Sequence, residues 1–223
     1  MFKIIKKEPL NPSMTRMVIE APFVARKAMP GQFIILRVNE TGERIPLTIA
    51  DYDREAGTVT IIYQKVGKST LLLDEQEAGG YLMDFIGPLG KASELEGYKK
   101  AAVIGGGAGC AIAYPQAKAL HAMGTKVDMI AGFRDKDLII LENEMREASD
   151  RLIVMTDDGS NGNKGFVTAA LQKNIDEGAD YDLVIAIGPI PMMKAVSNLT
   201  KPYGIKTIIS MNTIMAVSYT HLR

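Results

Sequence analysis

Two different hydrophobic patterns divide the chain near residue 97. Up to that point, short runs of alternating apolar and polar residues are separated by turn residues, which is typical of antiparallel β-strands. A segment at 68–77 instead predicts a short helix, with Ser69 or Thr70 near its N-terminus. The strand-like runs predict a six-stranded antiparallel β-barrel: FKIIKKEPL, TRMVIEAP, QFIILRV, PLTIAD, GTVTIIYQ and YLMDFIG.

From residue 100 onward, continuous apolar runs alternate with helical segments. The runs are KKAAVIGG, KVDMIAGF, RLIVMTDD, YDLVIAIG and IKTIISM, and helices are predicted up to about 123 and over 138–148, 168–174 and 192–199. Strands that are apolar on both faces and joined by helices predict a doubly wound parallel sheet of the α/β class. We therefore expect two domains, 1–97 and 98–215, with the boundary in a polar stretch that contains Gly97.

Composition narrows the functional classes. The 223 residues are 47% hydrophobic and 23% charged, which is ordinary for a globular protein, and 26 Lys and Arg balance 26 Asp and Glu. This neutrality provides no basic surface for nucleic acid, so we expect no nucleic-acid partner. The single cysteine, Cys110, excludes a disulfide framework. With neither an export signal nor a membrane span recognisable, we expect a cytoplasmic protein.

A glycine-rich run lies between the first strand and the first helix of the second domain. Glycine permits a tight turn and close approach of a ligand, and the next helix presents free N–H groups to an anion. A dinucleotide pyrophosphate fits such a turn, although Cys110 stands at the third glycine position of G-x-G-x-x-G. A tight turn without a ligand is the alternative. The candidate residues are Gly105, Gly106, Gly107 and Gly109.

Two segments of the barrel domain also carry candidate chemistry. Arg44 precedes Thr48 by four residues. The Arg44 guanidinium can bind a phosphate through two parallel hydrogen bonds, and the Thr48 hydroxyl provides a nearby hydrogen-bonding group. Gly67 opens the short helix, followed by Lys68, Ser69 and Thr70, which is typical of an anion site. The alternatives are a surface arginine on an edge strand and an ordinary helix cap.

The order of these segments resembles the ferredoxin-NADP reductase superfamily. R-I-P-L-T, G-K-S-T, Gly87-Pro88-Leu89-Gly90 and the glycine-rich turn follow one another in that sequence. Within the superfamily, the chain is similar to electron-transfer subunits of dihydroorotate dehydrogenase B. It is still more similar to the small subunits of NADH-dependent reduced ferredoxin:NADP oxidoreductase, also called sulfide dehydrogenase beta subunits. The segments that carry this similarity are ERIPLTIADYDREAGT, IGPLGK, TDDGSNGNKGFVT, GPIPMMKAVS and KPYGIKTIISMN.

The resemblance implies a site for FAD and a site for NAD(H). Arg44 would neutralise the FAD pyrophosphate, and Thr48, which lies near flavin N5, is the candidate catalytic residue. Pro46 and Leu47 would line the isoalloxazine ring, while Gly67, Lys68, Ser69 and Thr70 would hold the FAD phosphates. The glycine-rich turn would receive the nicotinamide dinucleotide, and Gly188, Pro189, Met192 and Met193 would border the nicotinamide. Ile187 stands where many superfamily members have cysteine.

Charges near the third strand of the second domain bear on the choice of nucleotide. Asp157 and Asp158 would repel an adenosine 2′-phosphate and can accept hydrogen bonds from ribose hydroxyls, which favours NAD(H). Arg134 favours NADP(H) instead. A solvated turn is the alternative role for the two aspartates.

The resemblance also implies a 2Fe-2S cluster, which family members ligate with four cysteines in a C-terminal segment. Here the sequence after Met215 reads AVSYTHLR. These eight residues are what the DNA sequence GCT GTC TCT TAT ACA CAT CTC CGA encodes, and that DNA is the adapter of a transposon-based sequencing library. We therefore expect residues 216–223 to be a non-native tail and the chain to be C-terminally truncated. The alternative is a natural short C-terminus. The cluster's ligands are absent from this sequence, so no metal site is predicted within it.

These observations predict an NAD(P)H-dependent flavin oxidoreductase subunit. It would pass electrons to a larger flavin- or iron–sulfur-containing partner in a heterodimer, through which ferredoxin can be reached in electron bifurcation. Three alternatives remain: the electron-transfer subunit of dihydroorotate dehydrogenase B, a stand-alone NAD(P)H:flavin reductase, and a non-catalytic structural subunit.

Overall fold

The computed structural model describes residues 1–211 and contains two sheets, one antiparallel and one parallel. The antiparallel sheet has seven strands in the order β6-β1-β2-β5-β4-β3-β7. Its strands are β1 (Phe2–Asn11), β2 (Met14–Glu20), β3 (Phe33–Arg37), β4 (Ile45–Asp53), β5 (Thr58–Gln64), β6 (Tyr81–Leu82) and β7 (Asp84–Leu89). The predicted non-native tail, 216–223, lies outside the described residues.

The barrel has one strand more than the six predicted, because the run YLMDFIG is divided at Met83. The Met83 N–H donates to the carbonyls of Arg37 and Val38, at 3.0 and 3.2 Å, instead of continuing one ladder. On one side of this break β6 pairs with β1, and on the other side β7 pairs with β3. The single run therefore contacts both edges of the sheet and nearly closes the barrel.

Two short helices pack on the barrel. Helix α2 (Lys68–Asp74) confirms the predicted short helix but ends three residues early. Helix α1 (Pro22–Lys27), which the sequence pattern did not predict, buries Val24 and Ala25 against the barrel core. Six residues are too few to show helical periodicity, and Pro22 at the first helical position is as typical of a turn as of a helix.

The parallel sheet confirms the five predicted strands, in the order β10-β9-β8-β11-β12. Helices α3 and α4 pack against one face and α5 and α6 against the other, so apolar clusters fill both sides. The elements are β8 (Lys100–Gly106), α3 (Cys110–Ala122), β9 (Lys126–Phe133), α4 (Glu142–Glu147), β10 (Arg151–Thr156), α5 (Val167–Asp176), β11 (Leu183–Ile187), α6 (Ile190–Thr200) and β12 (Thr207–Ile209).

The strand order changes direction between β8 and β11, which are paired in parallel. In open α/β sheets, ligands bind in the crevice outside the carboxyl ends of the strands at such a switch point. The glycine-rich turn follows β8 directly and ends in a short 3₁₀ turn, Gly107–Gly109, before α3. The topology therefore places this turn and the end of β11 at one edge of the sheet.

The barrel and the parallel sheet are in direct contact. Met14 of the barrel is buried in the apolar cluster that also contains the α3 and α4 side chains. Arg16 forms ion pairs with Glu8 of the barrel at 2.8 Å and with Glu144 of α4 at 2.5 Å. The Asn11 amide donates to the Leu138 carbonyl at 3.3 Å. These contacts hold the tip of the β1–β2 hairpin against the second sheet.

Candidate functional site

A cavity of about 850 Å³ opens where the carboxyl ends of β8 and β11 meet the barrel. Cavities of this size bind small molecules and cofactors in other proteins. Gly106, Gly107 and Gly109 line it, as do Gly188, Pro189 and Met192, so it unites the predicted glycine-rich turn with the predicted nicotinamide border. Gly105 lies just behind this wall, at the end of the ladder with β11.

Close packing of backbone explains the glycines of the turn. A Cβ on Gly109 would lie 2.3 Å from the Ile187 carbonyl oxygen, and one on Gly106 would lie 2.5 Å from the Met192 sulfur. Gly107 has a φ of +55° and no atom within 4 Å of an added Cβ, so it leaves open space at the cavity wall. The residues present therefore fit a ligand that approaches the backbone closely, as a dinucleotide pyrophosphate does.

Three helices begin at this cavity. The first residues of α5 and α6 line it, as does Gly109 immediately before α3. Within the described residues, none of the three N-terminal ends is capped by a side-chain hydrogen bond. Free N–H groups and the positive ends of three helix dipoles therefore face the same space, which favours an anionic ligand.

The loops after β9 and β10 form the other end of the cavity. Arg134 and Asp157 both line it, and the Asp157 N–H donates to the Phe133 carbonyl at 3.0 Å, so the two loops are joined. Asp158 does not line the cavity. Its carboxylate accepts from the Ser160 N–H at 2.9 Å, and that hydrogen bond lowers the pKa of Asp158. Of the two predicted aspartates, the structure brings only Asp157 to the cavity.

Cys110 lies beneath the glycine-rich turn, where its sulfur would be 2.7 Å from a Cβ on Gly105. The side chain is buried, and burial raises the pKa of its thiol to about 12. A thiol in this state is protonated at neutral pH, so Cys110 packs the turn and is not a reactive nucleophile.

On the barrel, Pro46 and Thr48 share the outer face of β4. Ile35 of β3 lies opposite both Pro46 and Ile86 of β7, so these three side chains form an apolar patch across three strands. Pro46 is exposed and Ile86 is 49% exposed, and such a surface is suited to a flat apolar ring. Leu47 points the other way, because it lies opposite the buried Ile34 and packs against the barrel core.

Arg44 and the start of α2 lie at one end of this outer patch. The Arg44 guanidinium forms an ion pair with Asp84 at 3.0 Å, and Asp84 also pairs with Arg37 at 2.8 Å. The Ser69 hydroxyl donates to the neighbouring carboxylate, Glu43, at 2.9 Å. This contact brings the predicted phosphate-binding segment beside the predicted phosphate-binding arginine.

The side chains of this segment have different surroundings. The Thr70 hydroxyl accepts from the Gly67 N–H at 3.1 Å and so caps α2. Gly67 has no atom within 4 Å of an added Cβ, and Lys68 is exposed. The backbone here is open to a ligand, and Ser69 and Lys68 are the side chains that can reach one. The apolar patch, Arg44 and the open start of α2 therefore fit the chemistry of an FAD molecule.

Several cavity residues were missed by the sequence analysis. Asn11, Ser13 and Gln64 belong to the barrel, and no local motif connects them with the glycine-rich turn. Phe166 and Thr168, at the start of α5, follow the GSNGNKG loop, and this glycine- and asparagine-rich loop was the signal that could have revealed them.

No group of three or more His, Cys, Asp or Glu side chains within residues 1–211 is placed to hold a metal ion. No helix in the same range is long and apolar enough to cross a membrane.

The family profile described as oxidoreductase NAD-binding domain matches residues 103–198. A Clostridium beijerinckii protein, named as uncharacterized in the adh 3′ region, is 49% identical over 96% of this chain and 75% of its own length. The dihydroorotate dehydrogenase B (NAD(+)) electron transfer subunit homolog of Thermotoga maritima is 41% identical, with the same coverage of both chains.

Among solved structures, the chain is similar to one from a study of flavin-based electron bifurcation by NADH-dependent reduced ferredoxin-NADP oxidoreductase. The two superpose with a TM-score of 0.90 and are 38% identical, over 98% of this chain and 78% of the other. The matched NAD-binding region contains the glycine-rich turn and the Gly188 loop, which form the cavity described above.

Proposed function

The chain belongs to the family of dihydroorotate dehydrogenase B electron transfer subunits and their homologues, and from this we propose that it transfers electrons between NAD(H) and FAD. The observation that carries the proposal is the cavity of about 850 Å³, because the glycine-rich turn, three uncapped helix ends and the barrel meet there. We assign residues 1–97 to the flavin domain and 98–215 to the nucleotide domain, of which 212–215 lie outside the described residues.

Pro46 and Thr48 would orient the flavin on the outer patch of the barrel. When bound, FAD would supply the redox chemistry: hydride acceptance from NADH, which is left as NAD⁺, and one-electron release to an acceptor. The Thr48 hydroxyl can hydrogen-bond the polar edge of the ring, while Pro46 and Ile35 support its apolar face. Leu47 contributes by packing under β4, because it faces the barrel core.

Arg44 and the start of α2 would hold the FAD phosphates. Arg44 is paired with Asp84, so binding a pyrophosphate requires the guanidinium to exchange or share that carboxylate. Arg37 also pairs with Asp84, at 2.8 Å, and would keep this carboxylate neutralised when Arg44 turns toward a phosphate. Ser69, Lys68 and the open backbone at Gly67 complete this end of the site.

The nucleotide cavity favours NADH over NADPH. Asp157 lines the end of the cavity away from Gly188, where its carboxylate can accept from ribose hydroxyls and would repel a 2′-phosphate. Arg134 lines the same end and would attract phosphate, so the preference depends on the balance between its charge and that of Asp157. The Asp158 carboxylate accepts a hydrogen bond from Ser160 within its own loop, so it would influence the nucleotide only by stabilising the conformation of that loop.

A larger partner subunit containing flavin or iron–sulfur clusters would receive the electrons. The 38% identity and TM-score of 0.90 to a structure from the bifurcating oxidoreductase favour a role in bifurcation, with ferredoxin reached through the partner. The 41% identity to a dihydroorotate dehydrogenase B electron transfer subunit homolog supports the second candidate, oxidation of dihydroorotate by the partner. A 2Fe-2S cluster would belong to the full-length family members, and a cytoplasmic location suits all of these roles.

The visible spectrum of the purified chain, before and after anaerobic NADH, tests the proposed function. We expect a bound-flavin spectrum that bleaches on addition of NADH, and flavin that stays bound through gel filtration. Flavin that exchanges freely would instead indicate a stand-alone flavin reductase. A colourless protein that takes up no added FAD would contradict the proposal.

Matched variants locate the flavin. Arg44→Met should lose FAD affinity by at least about tenfold, because it removes a charge-assisted hydrogen bond to phosphate. Arg146→Met is the control, since Arg146 forms a surface pair with Glu142 within α4 and is remote from the barrel patch. Equal FAD affinity in both variants would show that Arg44 does not hold the flavin.

A further inference from the structure

Strand β4 of the barrel and helix α3 of the second sheet are joined by three polar side chains. The Lys118 ammonium donates to both carboxylate oxygens of Asp51, at 2.7 and 2.8 Å. The Tyr114 hydroxyl donates to the same carboxylate at 3.3 Å, and the Lys118 ammonium lies 5.7 Å from the Tyr114 ring centroid. We call this set of residues the β4–α3 junction.

The Asp51 carboxylate is held from both sides of the interface. Within the barrel, it also accepts from the Tyr52 N–H at 2.9 Å, so its orientation on β4 is fixed. Tyr114 is only 9% exposed, so its ring is anchored in the apolar cluster of the second sheet. Burial by itself would lower the pKa of Lys118, but the hydrogen bond and charge of Asp51 outweigh burial and raise it. Lys118 is therefore charged at neutral pH.

The junction lies on the two elements that carry the proposed redox site. Thr48 is three residues before Asp51 on β4, which is about 10 Å along an extended strand. Gly109 is nine residues before Lys118 along α3, which is about 13 Å along a helix. The junction thus links the strand that would hold the flavin to the helix that follows the nucleotide turn. It does so within about 10–13 Å of both proposed cofactor sites.

Within residues 1–211, the other polar side-chain contacts across the interface do not involve these two elements. Arg16 joins β2 to Glu144 of α4, and Asn11 joins the hairpin tip to the Leu138 carbonyl. A cleft of about 270 Å³, lined by Asp51, Tyr114 and Glu144 among others, lies beside the junction. The ion pair therefore joins β4 and α3 at the edge of this cleft.

We propose that Asp51, Lys118 and Tyr114 are positioning residues that set the distance between the nicotinamide and the flavin, an inference that rests on the proposed function. None of the three lines the nucleotide cavity or lies on the apolar patch of the barrel, so none is a binding residue for either cofactor. Hydride transfer is steep in donor–acceptor distance, and a misplacement of about 1 Å can cost about a hundredfold in rate.

The test compares Lys118→Met, Lys118→Arg and wild type, each loaded with FAD and reduced by NADH under anaerobic stopped flow. For Lys118→Met we expect flavin reduction at saturating NADH to be at least about tenfold slower, with the Kd for NADH unchanged within about twofold. Lys118→Arg keeps the charge and should recover most of the rate. Arg146→Met, which breaks the surface pair within α4, should behave as wild type.

A second measurement needs no cofactor. Hydrogen–deuterium exchange of the unliganded Lys118→Met protein should be at least about threefold faster in β4 and in the second half of α3, because local opening of these segments becomes easier. Asp51→Asn should give the same pattern, and the double variant should be no slower in flavin reduction than either single variant. Additive losses in the double variant would overturn the proposed pairing.

The outcomes separate this inference from the proposed function. Wild type that NADH does not reduce would refute the proposed function and the junction's role with it. Wild type that is reduced, together with a Lys118→Met variant of equal rate, would overturn the junction alone. A slower variant whose Kd for NADH rises by the same factor would also overturn it, because that result indicates general loosening of the fold.

Discussion

Substitution of Gly109 by alanine tests how the cavity is built. The added Cβ would lie 2.3 Å from the Ile187 carbonyl oxygen, 2.7 Å from the Ile187 carbonyl carbon and 2.8 Å from the Gly188 Cα. Ordinary contacts between non-bonded heavy atoms are about 3.5 Å, so the turn and the end of β11 must separate by about 1 Å. All of these neighbours are backbone atoms, so no side chain can rotate away to relieve the clash.

Two effects should follow from this separation. Overpacking of this kind costs about 2–3 kcal/mol, which should appear as a lower free energy of unfolding in urea. The same movement displaces both the glycine-rich turn and the Gly188 loop, which line the cavity side by side, so the affinity for NADH should fall at least about tenfold. Isothermal titration with NADH and urea denaturation measure the two effects separately.

Gly178→Ala is the matched control. Gly178 follows α5 with a φ of +89° and has no atom within 4 Å of an added Cβ, so alanine there is strained but clashes with nothing. We expect a loss of about 1 kcal/mol in stability and an unchanged affinity for NADH. If Gly109→Ala bound NADH as wild type does, close packing of the turn against β11 would not be what shapes the cavity.

Three further predictions concern charge and titration. Asp157→Asn removes a carboxylate that lines the same cavity as Arg134, and it should tighten NADPH binding about tenfold relative to NADH, measured as the ratio of the two Kd values. An unchanged ratio would show that Asp157 does not select the nucleotide. Cys110 should resist a thiol reagent at pH 8 in the folded protein and react in urea, because burial raises its pKa to about 12; fast labelling of the folded protein would contradict its buried position. Burial and an aspartate partner raise the pKa of Tyr63 and of Tyr181, so both stay protonated in the folded protein while tyrosines of the unfolded chain lose their protons near pH 10. The free energy of unfolding should therefore be fully retained below about pH 10 and fall as the pH rises above it. Denaturation at pH 9 and pH 11 measures this fall, which should be smaller for the variant with both tyrosines changed to phenylalanine.

The sequence predicted the parallel sheet more completely than the barrel. Its five strands are apolar on both faces and separated by helices, and such continuous runs leave little choice of structure. In the barrel, the predicted run YLMDFIG is one continuous pattern, yet Met83 divides it because its N–H donates to the carbonyls of Arg37 and Val38 at the end of β3. Helix α1 was missed for a related reason, since its six residues are stabilised by packing of Val24 and Ala25 and not by a repeating pattern.

The sequence by itself identified candidate functional residues at the positions where the backbone conformation requires glycine. The glycine-rich turn, Gly188 and the start of α2 were recognisable because few other residues permit such close approach or such turns. Tertiary structure alone decided which side chains meet. It directed the Leu47 side chain toward the barrel core, and it placed Asp157, but not Asp158, at the cavity. It also joined Asp51 to Lys118 across 67 residues. Register and burial depend on distant partners, and no local pattern of residues encodes them.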